Sequence, residues 1–178
     1  MRKRVIFVLL VAINVAFAMT AEAQKVETKL GLYVTAKEAY DMWRADPDEV
    51  KILDVRTLVE YIFVGHPPMV FNIPAFFQTH RWDADREIFT MEPNPEFVTQ
   101  VGRWAEPDDT ILVTCRSGER GAMAVNLLAV AGFTNAYNIV DGMEGGLVKD
   151  PDSVFNGRRM KNGWQNSGLP WTYEINLD

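Results

Sequence analysis

Apolar positions along this chain fall into segments of two periods. Thr35-Ala36-Lys37-Glu38 has the form of a capping box, in which hydroxyl and carboxylate satisfy each other's backbone donors. Ala36, Tyr40 and Trp43 follow at helical spacing, and Asp46-Pro47 stops that helix. Val50–Val55, with Ile52 and Leu53 adjacent at its centre, reads as a short buried strand. A second capping box, Thr57-Leu58-Val59-Glu60, opens a helix through about Phe63, which Gly65-His66-Pro67-Pro68 breaks. Val70–Ile73 predicts another strand, stopped by Pro74.

Residues 75–93 are aromatic and charged and hold no sustained period. Asn94-Pro95 has the form of an N-cap followed by a proline at the first helical position, with Phe97, Val98, Val101 and Trp104 as one apolar face. Thr110–Thr114 is a β-branched strand, Gly121–Ala131 an apolar helix closed by Gly132, and Asn135–Val140 a last strand. The order β-α-β-α-β-α-β-α-β predicts an α/β fold, a mostly parallel five-stranded sheet with helices on both faces. One domain spans 31–178, with extended segments at 75–93 and 147–162, and the polar stretch 24–30 reads as a loose leader.

The first 23 residues have a different character. Arg2, Lys3 and Arg4 precede an uncharged apolar run, Val5–Ala18, and Ala21-Glu22-Ala23 supplies a small-x-small cleavage pattern. The run, about 21 Å as a helix, is short of the roughly 30 Å hydrocarbon core. Residues 1–23 are therefore expected to be a cleaved signal peptide, placing the rest outside the cytoplasm, in the periplasm, with no stable membrane insertion after cleavage. The alternative is an uncleaved segment that tethers the same domain.

Composition narrows the chemistry. A net charge of −6 argues against a nucleic-acid partner, whose phosphates require a basic footprint. His66 and His80 have no carboxylate or thiol at ligand spacing, so no metal site is expected. A single cysteine, Cys115, excludes an internal disulfide, and in an oxidising compartment an unpaired thiol must be either buried or used.

Cys115 follows the strand Thr110–Thr114 and precedes the loop Arg116-Ser117-Gly118-Glu119-Arg120, which turns into a helix. Ligands in open α/β sheets bind beyond the carboxyl ends of strands. A helix start there aims N–H groups and partial positive charge at the same spot, and Arg116 and Arg120 add to it. Such a setting favours a thiolate nucleophile and an anionic substrate. The other reading is an inert core cysteine; the polar loop that follows places Cys115 at the strand's exit rather than its middle.

Several blocks, in order, resemble the rhodanese-homology domains. Ile52-Leu53-Asp54-Val55-Arg56, Glu60-Tyr61, Gly65-His66 and Asn72-Ile73-Pro74 are similar to that family's first block. Cys115 to Arg120 resembles its active-site loop, and Asp141-Gly142-Met143-Glu144-Gly145-Gly146 the block after its last core strand. Gly163-Trp164 with Gly168-Leu169-Pro170 resembles its C-terminal helix and exit.

The resemblance implies a sulfurtransferase without cofactor or metal. In it Cys115 takes a sulfane sulfur from a small anionic donor such as thiosulfate. A thiol or other thiophilic acceptor, which could be a protein, then attacks the persulfide. It also implies a substrate loop of Arg116, Ser117, Gly118, Glu119, Arg120 and Gly121. Arg116 and Arg120 would hold the donor's oxyanion end, Ser117 and Gly118 let the backbone curl round the sulfur, and Glu119 faces solvent or pairs with a neighbouring arginine. The alternatives are a persulfide carrier or sulfur-relay protein without turnover and a cysteine phosphatase. Rhodanese-like phosphatases resemble Cys-x5-Arg, one residue longer than the loop in this chain.

Other residues carry less. Asp54 and Arg56 are expected to support the fold, and His66 to serve a turn. Residues 75–93 either cover the active-site mouth or form an ordinary surface loop. Arg158, Arg159 and Lys161 either dock an anion or are a solvated cluster.

Overall fold

The computed structural model describes residues 26–175. The expected signal peptide, residues 1–23, and the first two residues of the 24–30 stretch lie outside them.

Five parallel strands form the central sheet: β1 (Tyr33–Val34), β2 (Val50–Asp54), β3 (Phe71–Asn72), β6 (Thr110–Thr114) and β7 (Ala136–Ile139), in the order β1-β7-β6-β2-β3. Two hairpins stand beside it, β4 (Phe76–Asp83) with β5 (Ile88–Pro93), and β8 (Gly146–Leu147) with β9 (Arg159–Lys161). The helices are α1 (Ala36–Ala45), α2 (Leu58–Val64), α3 (Phe97–Val101), α4 (Glu119–Val130) and α5 (Gly163–Asn166).

Side chains of the central strands alternate between two cores, as the period of a strand requires. Leu53, Ile111 and Val113 pack with Phe97 and Val101 of α3 and Ala124, Val125 and Leu128 of α4. Ile52 and Leu112 face the other way, against Ala36 and Ala39 of α1 and Trp164 of α5. Helices therefore cover both faces. From β2 the chain moves to β3 on one side, and from β6 it moves to β7 on the other. The crevice at the carboxyl ends of β2 and β6 is thus a topological switch point, where ligands of such sheets bind.

Both capping boxes form. Thr35 and Glu38 cap α1, Thr57 and Glu60 cap α2, and Gly65, at φ 88°, ends α2. Four local expectations change. Residues 76–93 make a hairpin, its register shifted between Gln78 and Trp82, rather than an aperiodic loop. Helix α3 starts at Phe97, because Asn94 caps the preceding turn through Oδ1 to the Glu96 N–H. Helix α4 starts two residues early, at Glu119, because Gly118 enters it in the left-handed conformation. Glu27 and Lys29 are fastened to Asn126 of α4, and Leu30 packs on the core, so this part of the leader is held down.

Candidate active site

The sheet places Cys115 at the exit of β6, beside the end of β2, where Asp54 pairs with Thr114 in register. Asp54 accepts from the Arg56 backbone and guanidinium, and both side chains are fully buried. Arg56 also donates to the Gly65 carbonyl. This pair is a support, as expected. His66 is buried on the Tyr61 ring with its two nitrogens 3.1 Å from the Tyr61 and Glu174 carbonyl oxygens, so it also serves structure.

The loop between Cys115 and α4 is shaped from outside. Met143 N–H donates to the Cys115 carbonyl at 2.8 Å, and Glu144 N–H to the Arg116 carbonyl at 2.9 Å. With these carbonyls tied outward, the Gly118 N–H reaches the Cys115 Sγ at 3.1 Å. Gly118 has φ 98°, and a Cβ there would lie 2.2 Å from the Val140 carbonyl oxygen, so only glycine permits this turn. The amides that open α4 precede its first internal bond, from Ala122 N–H to the Gly118 carbonyl. Their partial positive charge lies at the sulfur's end of the helix.

Cys115 is only 1% exposed and packs in the core beside Val55, Ala75 and Val113. The sulfur therefore combines a hydrocarbon surround with a backbone donor. This differs from an openly reachable thiol.

The six loop residues separate into different jobs. Arg116 is exposed and lines a cavity of about 320 Å³. Ser117 is half-buried and Glu119 exposed at the first turn of α4. Gly121 backs onto β7, where an added Cβ would lie 2.4 Å from Asn138 Oδ1, so it is a packing position rather than a substrate contact. Arg120 departs most from the expected anion clamp. Its two terminal nitrogens donate to Glu60 at 2.6 and 2.7 Å, which occupies its fork. Burial pushes the Glu60 carboxyl up, but Arg120 and the Thr57 donors outweigh it and hold Glu60 at about 2. Burial also works against the Arg120 charge, and Glu60 more than compensates, so its pKa is raised.

Two contributors carried little or no signal in the sequence. Arg159, on β9, is half-buried, donates to the Gly145 carbonyl and interacts electrostatically with Arg116 and Cys115. Burial first, then the like charge of Arg116, lowers its pKa. Hairpin β4–β5 supplies Gln78, Trp82, Glu87, Ile88, Phe89 and Met91 to the cavity wall, opposite Glu60, Arg116 and Arg120. Only the basic cluster around Arg159 and the aromatic content of 75–93 pointed this way.

The model of the rhodanese-like domain matches residues 35–148. The chain belongs to the rhodanese-like domain family. Among rhodanese-like relatives, thiosulfate sulfurtransferase 16, chloroplastic, of Arabidopsis thaliana is 33% identical over 116 residues, 65% of this chain and 87% of that protein. An uncharacterized Rickettsia conorii protein is 29% identical over 140 residues, 79% of this chain and 96% of its own length. The senescence-associated protein DIN1 of Raphanus sativus is 37% identical over 92 residues, 52% of this chain; the match spans only 45% of that relative. The crystal structure of Rv0390 from M. tuberculosis superposes with a TM-score of 0.60 at 28% identity, covering 79% of this chain and 96% of that one.

Proposed function

We propose that the protein is a sulfurtransferase that carries a sulfane sulfur on Cys115. The observation that supports this best is the Gly118 N–H, 3.1 Å from Sγ at the start of α4. A donor fixed there stabilises negative charge on the sulfur before and after transfer, as in an oxyanion hole. The Cys115 thiolate attacks the outer sulfur of a donor such as thiosulfate. The new S–S bond forms as the donor's S–S bond breaks, and sulfite leaves with the electron pair. A thiophilic acceptor, a thiolate or cyanide, then attacks the outer sulfur of the persulfide and returns Cys115 as thiolate. Electrons balance without an external oxidant, and no metal or organic cofactor enters either step.

Arg116, exposed at the mouth with Arg159 nearby, is suited to hold the anionic end of the donor. Arg120 is instead a positioning residue, holding α4 to α2 through Glu60. Export by residues 1–23 belongs to the same proposal and rests on their charge and apolar pattern alone; N-terminal sequencing of the protein from its native compartment checks it.

Incubation with thiosulfate followed by intact-mass measurement tests the chemistry. One added sulfur is expected, absent in Cys115→Ser and removed by cyanide or a small thiol with turnover. A sulfur that loads but is never released to a small thiophile marks a carrier instead. No added sulfur, or phosphate-ester hydrolysis in its place, overturns the proposal.

A further inference from the structure

The rhodanese-like match ends at residue 148, and there the chain leaves on an excursion that returns along β9. Its neck is closed. Gly146 and Leu147 of β8 pair with Lys161 and Arg159 of β9. Val148 N–H donates to the Arg158 carbonyl at 2.8 Å, and Gly157 N–H donates back to the Val148 carbonyl at 2.9 Å. Beyond the neck the segment is held by bonds of its own. Ser153 N–H donates to the Asp150 carbonyl, Asn156 N–H to the Ser153 carbonyl, and Asp150 N–H to Asn156 Oδ1. It is a compact surface loop whose ends meet, a form that commonly carries function. Its order is not achieved by burying apolar side chains: Val154 is 88% exposed, and Leu147, Phe155 and Met160 are exposed as well.

The charge of this loop is opposite to that of the chain. Residues 147–161 carry Lys149, Arg158, Arg159 and Lys161 against Asp150 and Asp152, in a protein of net charge −6. Among the described residues none of the four cations forms an ion pair. Arg159 senses Glu144 and Arg116 only at longer range, whereas Lys149, Arg158 and Lys161 are exposed. Asp150 is engaged within the loop, where its carboxylate accepts from the Asp152 N–H at 3.1 Å. An inorganic anion meets one or two such cations. Cations interleaved with exposed apolar side chains along both arms, Leu147 with Lys149 and Met160 with Arg158 and Lys161, are instead the make-up of a surface that receives another macromolecule.

The loop is also built onto the sulfur site. Arg159 donates to the Gly145 carbonyl at 2.5 Å, and a Cβ on Gly145 would lie 2.1 Å from the Lys161 carbonyl oxygen, so the neck presses on residues 141–146. Those residues in turn hold the cysteine loop, through the Met143 and Glu144 N–H groups on the Cys115 and Arg116 carbonyls. Whatever binds the excursion is set down beside Cys115. We propose, on the strength of the sulfur-transfer reading above, that residues 147–161 are the docking surface for an acidic protein that accepts the sulfur on a thiol of its own. Its carboxylates meet Lys149, Arg158 and Lys161. The acceptor thiol gives its proton to solvent, and the thiolate attacks the outer sulfur of the Cys115 persulfide. The new S–S bond forms as the bond to Cys115 breaks, Cys115 keeps the electron pair as thiolate, and the acceptor leaves as a persulfide.

The test loads Cys115 with thiosulfate and follows sulfur transfer to two synthetic peptides by intact mass. The peptides are Glu-Glu-Leu-Cys-Glu-Glu and its neutral counterpart Gln-Gln-Leu-Cys-Gln-Gln. The readout is the ratio of their second-order rate constants in the natural protein, in Arg158→Gln with Lys161→Gln, and in Lys149→Gln; differences in loading and in thiol reactivity cancel between proteins. The natural protein should favour the acidic peptide about tenfold, the low end of charge steering, and lose that preference at high salt. The double variant should bring the ratio close to one. Lys149→Gln should lower it in the same direction, which guards against misfolding of the double variant. Equal rates for the two peptides, or a ratio that neither variant changes, overturns the docking surface and leaves sulfur transfer standing. Sedimentation with phosphatidylglycerol vesicles that the double variant abolishes, beside an unchanged peptide ratio, overturns it in favour of a lipid surface. Failure of thiosulfate to load Cys115 overturns both readings.

Discussion

Glu60 both caps α2 and grips Arg120 of α4, sixty residues away in sequence, at 2.6 and 2.7 Å. Its carboxyl is held at about 2, against an ordinary value of 4.5, because Arg120 and Thr57 overcome the opposing effect of burial. A depressed folded pKa stabilises the fold above the unfolded value and loses that contribution as pH falls through the folded one. The stability gap between the natural protein and Glu60→Gln should therefore be full at pH 7 and close between about pH 4.5 and 2. We expect about 2 kcal/mol at neutral pH once solvent screening of this partly exposed pair is allowed for. Urea unfolding midpoints across that range check it; a gap constant with pH contradicts the pairing.

Removing the other partner should cost more than activity. Arg120→Ala leaves Glu60 without its cation, so melting temperature and sulfur loading should fall together. A double-mutant cycle with Glu60→Ala should give a coupling of roughly 0.5–3 kcal/mol. Loss of loading with an unchanged melting temperature would return Arg120 to the donor site.

Gly142 lies outside the loop but controls it. It has φ 57°, and a Cβ there would sit 2.4 Å from the Cys115 carbonyl oxygen. Gly142→Ala must push either the cysteine loop or its own turn aside, and a displacement on the order of 1 Å costs about a hundredfold in rate. Persulfide formation should slow by that factor while the far-ultraviolet circular dichroism spectrum stays native.

Arg116→Gln and Arg159→Gln should each raise KM for thiosulfate. They should also flatten its dependence on ionic strength, because exposed charges are screened over about 10 Å at 0.1 M salt. Steady-state rates from low to high salt measure both effects. An unaltered salt slope in Arg116→Gln would remove it from donor capture.

Asp54→Asn should destabilise the protein by roughly 3–5 kcal/mol, since it strands the fully buried Arg56 charge. Chemical denaturation reads this directly.

Local chemistry was legible where the chain itself encloses it. Thr35 with Glu38 and Thr57 with Glu60, each pair three residues apart, announce helix starts, and both caps form. Thr110–Thr114 and Cys115 read as strand and exit because burial on both faces makes a continuous apolar run. The hairpin did not read as strands, because nearly all of β4 and β5 is exposed or half-buried and shows no alternation. Its turn carries Glu87 at positive φ where a glycine would have signalled it. Helix α4 was dated two residues late since its entrance is a left-handed glycine without a capping side chain. The Glu60–Arg120 grip depends on how two helices meet, which no local pattern records.

The two ends of hairpin β4–β5 are stitched to each other and to the sheet. Asn94 N–H donates to the Ala75 carbonyl at 2.9 Å, Asn94 Nδ2 to Pro74, and Ala75 N–H to Val55. A segment that leaves and rejoins its parent at one point is a detachable attachment. Lengthening it, shortening it or exchanging it for another ribbon would rebuild that wall of the cavity while the cysteine and its cradle stayed as they are.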